Sequence, residues 1–305
     1  MSRYLDPRVD LVFKKIFGEH PDLLISFLNA LIPLPKGKEI SRIDYFPAEL
    51  VPNTPLGKDS IVDVRCVDNF GRQFIVEMQM LWTSSFRSRM VFNSSKAYVK
   101  QLTVGEPYDM LEPVYGIGIV NAKIFPEKEQ FYHHYKVINV EDSEDIIEDL
   151  EFILVELEKD IKLKGLTKLQ HKQLAVLWLR FLKETKGDRT IGASELSQHA
   201  ELQKAVSICE VGSYTDAELF LYERNSDAIS TEKTLQNETR REALEEGRAE
   251  GRVEGEAKGR IEGRVEGIVE GRAEIVLKMW QKLQSIEEIH ALTDIPMATI
   301  EEILK

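Results

Sequence analysis

With 305 residues, 43% of them hydrophobic, the chain is long enough for one large domain with appendages or for two domains, and rich enough for a true core. Its two cysteines, Cys66 and Cys209, make no disulfide framework. Its apolar runs fall far short of the roughly 18 residues that span a bilayer, and Met1 to Pro7 contains no signal-like apolar segment, so the expectation is a cytoplasmic protein with no membrane partner. The net charge of −12 is unevenly spread: residues 1–140 hold 17 Lys+Arg against 16 Asp+Glu, and residues 141–305 hold 23 against 36. The acidity belongs to the second half, and a local basic patch in the first half is enough to hold phosphates.

In chain order, Asp10 to Phe17 has helical spacing. Leu11, Val12, Phe13 and Ile16 supply core contacts, while Asp10, Lys14 and Phe17 share a face. An Asp10–Lys14 pair at i, i+4 is a common surface ion pair worth a few tenths of a kcal/mol. A second helix spans Asp22 to Leu31 and is ended by Pro33 and Pro35. Ile40 to Phe46 reads as a first strand. Residues 47–60, with Pro47, Pro52, Pro55 and Gly57 and with Lys58 and Asp59 at the end, read as a loop.

A hairpin follows: Ile61 to Cys66, a turn at Asp68-Asn69-Phe70-Gly71, and Phe74 to Gln79. Alternation puts Val62, Val64 and Cys66 on one face and Ile61, Asp63 and Arg65 on the other. On the return strand Phe74, Val76, Met78 and Met80 are the apolar face, and Glu77 and Gln79 share the opposite face with Gln73 and Ile75. A turn centred near residue 70 sets Asp63 roughly opposite Glu77, about 5 Å away, where like charges destabilise a sheet. A hard divalent cation such as Mg²⁺, which takes oxygen ligands, accounts for two carboxylates and an amide on one spot. The alternative is that both acids face water, as polar residues of antiparallel strands commonly do.

Residues 86–102 are helical in pattern. Arg89, Asn93, Lys96 and Lys100 recur along one side, as a solvated face or as a surface for phosphates. Pro113 to Asn121, Phe131 to Val140 and Phe152 to Leu157 read as strands. His133 and His134, adjacent in a strand and so pointing to opposite faces, read as structural. The order of elements fits an α/β class with a mixed sheet flanked by helices. From about 160 to 240 the chain reads as helical, with apolar-rich Leu174 to Leu182 and shorter helices at Glu201 to Ile208 and Asp216 to Glu223.

Seven glycines then recur every fourth residue from Gly247 to Gly271, in a unit close to Gly-Arg-x-Glu. In a helix this stacks like charges at i, i+4 and places a weak former in every turn. The segment is therefore either a self-associating helix, giving a homo-oligomer, or a solvated linker. Glu274 to Leu283 and Ile286 to Leu304 read as short helices resembling a small helix-turn-helix. Its second helix is acidic and lacks Arg or Gln to read bases, which makes it a packing module.

From Tyr4 to about Tyr115 the sequence resembles the Rpn family of recombination-promoting nucleases, also described as PD-(D/E)XK nuclease family transposases. The matching pieces are Asp10 to Gly18, Leu28-Asn29-Ala30-Leu31, Ile61 to Arg65, Glu77-Met78-Gln79, Arg89, Ser95 to Tyr98, Gln101-Leu102 and Gly105 to Tyr108. The resemblance implies a PD-(D/E)XK restriction-endonuclease-like core over 1–160; the pattern of the remainder divides it into a helical region at 161–240, the repeat, helical or linker, at 241–272 and a helical hairpin at 273–305. It implies an Mg²⁺- (or Mn²⁺-) dependent DNA endonuclease linked to recombination or mobile elements. Asp63, Glu77 and the Met78 carbonyl would hold the metal, Gln79 and Asp10 would complete the catalytic group, and Arg89, Lys96, Lys100 and Lys14 would contact the DNA backbone. Gln79 stands where the wider superfamily has Lys, which shifts water activation toward the metal. The competing expectation is a non-catalytic interaction protein that keeps the fold and assembles through its glycine repeat.

Overall fold

The computed structural model describes residues 3–50, 60–166, 169–196, 198–282 and 285–305. Its first two helices form where the apolar spacing requires: α1 (Asp10–Phe17) buries Val12, Phe13, Ile16 and Phe17, and α2 (Pro21–Leu31) starts on a proline suited to a first helical turn and buries Leu23, Leu24, Phe27, Leu28 and Leu31. The strand expected over Ile40 to Phe46 is shorter, β1 (Ile43–Tyr45). The Asn29 side chain of α2 satisfies both backbone groups of Ile40, each at 2.8 Å, so Ile40 needs no strand partner. The segment expected to be a loop contributes β2 (Glu49–Leu50), paired with β3 (Ser60–Ile61) in a small two-stranded sheet. Pro52, Pro55, Gly57, Lys58 and Asp59 lie outside the described residues.

The hairpin is β4 (Val64–Asp68) and β5 (Gln73–Gln79), paired Val64↔Val76 and Cys66↔Phe74. The turn expected at 68–71 is present, with Gly71 at φ +84°, a conformation that favours glycine. One expectation fails. Val62 does not join Val64 and Cys66; it packs with Ile75, Leu50, Ala97 and Val114 on the opposite face of the sheet. The extended chain breaks between β3 and β4 at Val62-Asp63, and a break of one residue reverses the facing of everything before it.

The chain continues through α3 (Phe86–Val99), β6 (Val114–Val120), β7 (Tyr132–Ile138) and β8 (Ile146–Glu156). The six-stranded sheet has the order β1-β4-β5-β6-β8-β7. β5, β6 and β8 are mutually parallel and the remaining pairs antiparallel. β8 begins six residues before the expected Phe152. Its early half is acidic and hides the strand pattern, but Glu151 is satisfied there by His134 at 2.5 Å and Lys136 at 2.9 Å. His133 reaches instead to Glu156 at 2.7 Å, so the two histidines act apart, as structural groups.

Helices α4 (Lys172–Glu184), α5 (Ala193–Leu196) and α6 (Ala200–Ile208) follow. α4 and α6 join the same core as α1 and α2: Trp178 lies 5.6 Å from Phe17 and 5.7 Å from Phe27, ring centre to ring centre, and its indole N–H donates to Ser26 Oγ at 3.2 Å. On the other face α3 lies flush on β6 because Gly116 and Gly118 have no side chains. A Cβ at Gly118 would come within 2.7 Å of Met90 Sδ and 2.8 Å of Phe86. Gly118→Val is therefore expected to destabilise the fold by about 2–3 kcal/mol through overpacking, measured by chemical denaturation. A value within about 0.5 kcal/mol of the parent would contradict the close seating of α3.

The chain divides into two units, Met1–Lys233 and Thr234–Lys305. The boundary falls inside α7 (Asp216–Trp280), a continuous helix that includes the whole glycine repeat. In the second unit α8 (Ile286–Thr293) and α9 (Met297–Ile303) close on Val276 through Ile289, Ile295 and Ile300. Ser285 caps α8 by accepting the Glu288 N–H at 3.2 Å.

Candidate active site

The register of β4 on β5 ends at Val64↔Val76, next to Asp63 and Glu77, and the Glu77 charge reaches Asp63. Asp63 itself sits at the bend before β4 and is tied to β5 by its side chain: Oδ2 accepts the Met78 N–H at 2.6 Å. Its carboxyl is set deep in the protein although the residue keeps some surface. Burial pushes it up to about 7; the Met78 N–H and Lys14 pull it down, and Asp10 and Glu77 push it further up. Glu77, 6% exposed, is likewise raised by burial, against the pull of Asn93 and Arg89.

α3 supplies the groups above Glu77. Asn93 Nδ2 donates to Glu77 Oε1 at 2.8 Å, and Arg89 Nε lies 3.5 Å from Oε2. Arg89 also donates to Gln79 Oε1, and Gln79 Nε2 donates to the Leu81 carbonyl at 2.6 Å. Asn93 is fully buried and its Oδ1 has no partner among the described residues. Lys96 donates to the Leu50 carbonyl at 2.7 Å. Asp10 pairs with Lys14 at 2.9 Å on the exposed first turn of α1, within electrostatic reach of Asp63.

Asp10, Lys14, Asp63, Glu77, Gln79 and Arg89 thus surround one spot, while Lys96 turns to the β2 backbone. Lys100 closes α3. Helical spacing alone marks Asn93 only as part of a polar stripe. The further signal is a small amide between apolar turns, since a buried Asn needs a polar partner.

Among the described residues no three His, Cys, Asp or Glu side chains form a metal-ligating group. The donors present are a pair of carboxyls. Asp63 Oδ1 makes no hydrogen bond among the described residues, and its affinity for a proton is raised by burial first and by the Asp10 and Glu77 charges after it. Such an oxygen-only pair fits a hard divalent cation that keeps several waters.

A mixed sheet covered by helices on both faces, with acids gathered at one edge, defines an α/β fold of nuclease type. Residues 7–238 match the family described as PD-(D/E)XK nuclease family transposase, and since this is most of the chain, the protein belongs to that family. The match runs well beyond Tyr115, where the resemblance in the sequence ends, and takes in the helices α4 and α6 that complete the core. No curated protein and no solved structure matches the chain. No helix among the described residues is long and apolar enough to cross a membrane.

Proposed function

We propose that the protein is a divalent-metal-dependent DNA endonuclease acting in recombination or on mobile elements. The observation that carries this is the buried pair Asp63 and Glu77 in a chain of a nuclease family. Asp63, Glu77 and the Met78 carbonyl are the groups that would hold Mg²⁺ or Mn²⁺. When bound, such a cation supplies a Lewis acid for the scissile phosphate and for the attacking water.

The chain's own residues prepare that chemistry. The Met78 N–H fixes the Asp63 carboxyl, leaving Oδ1 free to ligate. Asn93 fixes Glu77, and Arg89 orients Gln79. Gln79 is the hydrogen-bonding group in place to orient the water or the phosphate. Asp10 adds negative charge that favours a cation, and Lys14 next to it adds a phosphate-attracting charge. Arg89 is half-exposed and can turn from Gln79 to an incoming phosphate, with Lys96 and Lys100 further along α3. This enzyme is expected to reside in the cytoplasm.

Incubating supercoiled plasmid with Mg²⁺ tests the reading. The parent protein should nick or linearise it, EDTA should stop the reaction, and Glu77→Ala should be inactive. Equal cleavage by parent and variant would overturn the assignment.

The second unit supports a separate proposal, a homo-oligomer through the repeat. Val253, Ile261, Val265 and Val269 stand exposed on α7, on a helix that stacks like charges at i, i+4, such as Arg248 with Arg252 and Glu250 with Glu254. Sedimentation of the full chain is expected to show a dimer or larger, and Ile261→Glu with Val265→Glu to return it to monomer. A monomeric parent at micromolar concentration would contradict this.

A further inference from the structure

Two clusters of cations lie at the same edge of the sheet as the acid pair. β5, β6 and β8 run parallel, so their C-terminal ends at Gln79, Val120 and Glu156 share that edge. β6 and β8 stand about 5 and 10 Å from β5 across the sheet. The segments that leave β6 and β8 border a cleft of about 510 Å³ lined by Lys123, Lys128, Lys159, Lys162 and Lys164, with only Glu129 and Asp160 as acids. Asp160 pairs with Lys162 at 2.5 Å, and Lys123, Lys128 and Lys164 have no carboxylate partner among the described residues.

A second cleft is lined by Arg3, Arg8, Lys183, Lys186 and Arg189 against Glu184 and Asp188. The two adjoin, since Lys183 Nζ of one donates to the Lys159 carbonyl of the other at 2.7 Å. The second cleft also reaches the acid pair's strand. Arg8 donates to Asn121 Oδ1 at 2.8 Å, and the Asn121 N–H donates to the Gln79 carbonyl at 2.9 Å.

Ten cationic side chains line the two clefts against four acids; Arg3, Arg8 and Lys159 are held by Glu210, Asp6 and Glu156 behind the lining, and Lys186 also lies 3.6 Å from Asp6, but the excess that remains, in a protein of net charge −12, makes a surface for an extended polyanion. Continuity with the Gln79 strand favours a nucleic acid over an acidic peptide, because the backbone that binds the clefts would bring a phosphate to the acids. We propose that this two-cleft surface, from Lys186 and Arg189 across to Lys123 and Lys164, is the track along which the nucleic acid backbone lies while one phosphate sits at Asp63 and Glu77. The proposal rests on the nuclease reading for its last clause and for the choice of a nucleic acid as occupant. The track moves the main phosphate contacts away from α3, where Arg89 and Lys96 already bond to the protein.

The test measures binding of a labelled duplex by fluorescence anisotropy over a salt series, in a cleavage-silent Asp63→Asn background without added metal. Two pairs of substitutions are added in turn, Lys123→Ala with Lys164→Ala, and Lys186→Ala with Arg189→Ala. All four side chains are exposed, and circular dichroism checks that the fold is kept. Each pair is expected to weaken binding about tenfold at low salt and to reduce the slope of log affinity against log salt by roughly 1.8, about 0.9 for each phosphate no longer neutralised. Folded variants with unchanged affinity and slope would overturn the track. So would poly-glutamate competing as well as duplex at equal charge, which would mark an acidic-peptide surface. The two ideas fail separately: binding that depends on these lysines in a parent that never cuts sinks the nuclease reading alone, and cutting that ignores them sinks the track alone.

Discussion

Asp63→Asn is expected to abolish cleavage and, at the same time, to stabilise the metal-free protein above pH 7. The first effect follows from removing the one carboxyl with a free oxygen toward the proposed cation, with a loss of about 10²–10³-fold or more, as for other transition-state electrostatic groups. The second follows from linkage. The folded protein holds the Asp63 proton up to about pH 7, whereas the unfolded chain gives it up near 4. A group whose pKa is raised on folding contributes stability that is complete below the unfolded value and lost as pH rises through the folded one. Parent and variant should therefore unfold alike near pH 4, and the variant should gain about 2–4 kcal/mol by pH 8 in EDTA. Asn also keeps an oxygen to accept the Met78 N–H. Urea titrations at several pH values read this directly. A variant less stable than the parent at pH 8 would show that Asp63 is structural rather than held ready for a ligand. Added Mg²⁺ should close the gap by stabilising only the parent.

Trp178→Ala is expected to produce the largest loss of stability in the first unit. Trp178 is fully buried among Phe17, Phe27 and Phe181, with ring centres 5.6–5.8 Å away. Its removal leaves a cavity and orphans the Ser26 hydroxyl, for about 3–5 kcal/mol. Because α4 belongs to the same core as α1, which carries Asp10 and Lys14, cleavage should fall with it. Thermal unfolding measures the first effect and plasmid cleavage at a temperature below the new midpoint the second. A single unchanged transition would mean that residues 161–233 form an independent appendage.

The parts of the site legible in the sequence are those set by local rules. The alternation of β5 and the turn at Gly71 are enough to place Asp63 and Glu77 within electrostatic reach of each other, and the stripe on α3 locates Arg89. What escapes is set by tertiary contacts. Nothing in Ile61 to Arg65 announces the break at Asp63, which turns Val62 to the other face and lets the carboxyl reach the Met78 N–H. The acidic start of β8 looks like a loop until His134 and Lys136 stand beside Glu151. The lysines of the first basic cleft are scattered over residues 123–164, and only the parallel order β5-β6-β8 gathers their loops on one edge. In the repeat, each glycine argues against helix, yet α7 runs through all of them.

The most direct test of the account is where a cation binds. Crystals soaked in Mn²⁺, with diffraction recorded at the manganese absorption edge, should give an anomalous peak between the carboxyl oxygens of Asp63 and Glu77, and none in Asp63→Asn crystals. A peak elsewhere in the parent protein, or none at millimolar Mn²⁺ near pH 8, would contradict a metal-dependent nuclease built on this pair.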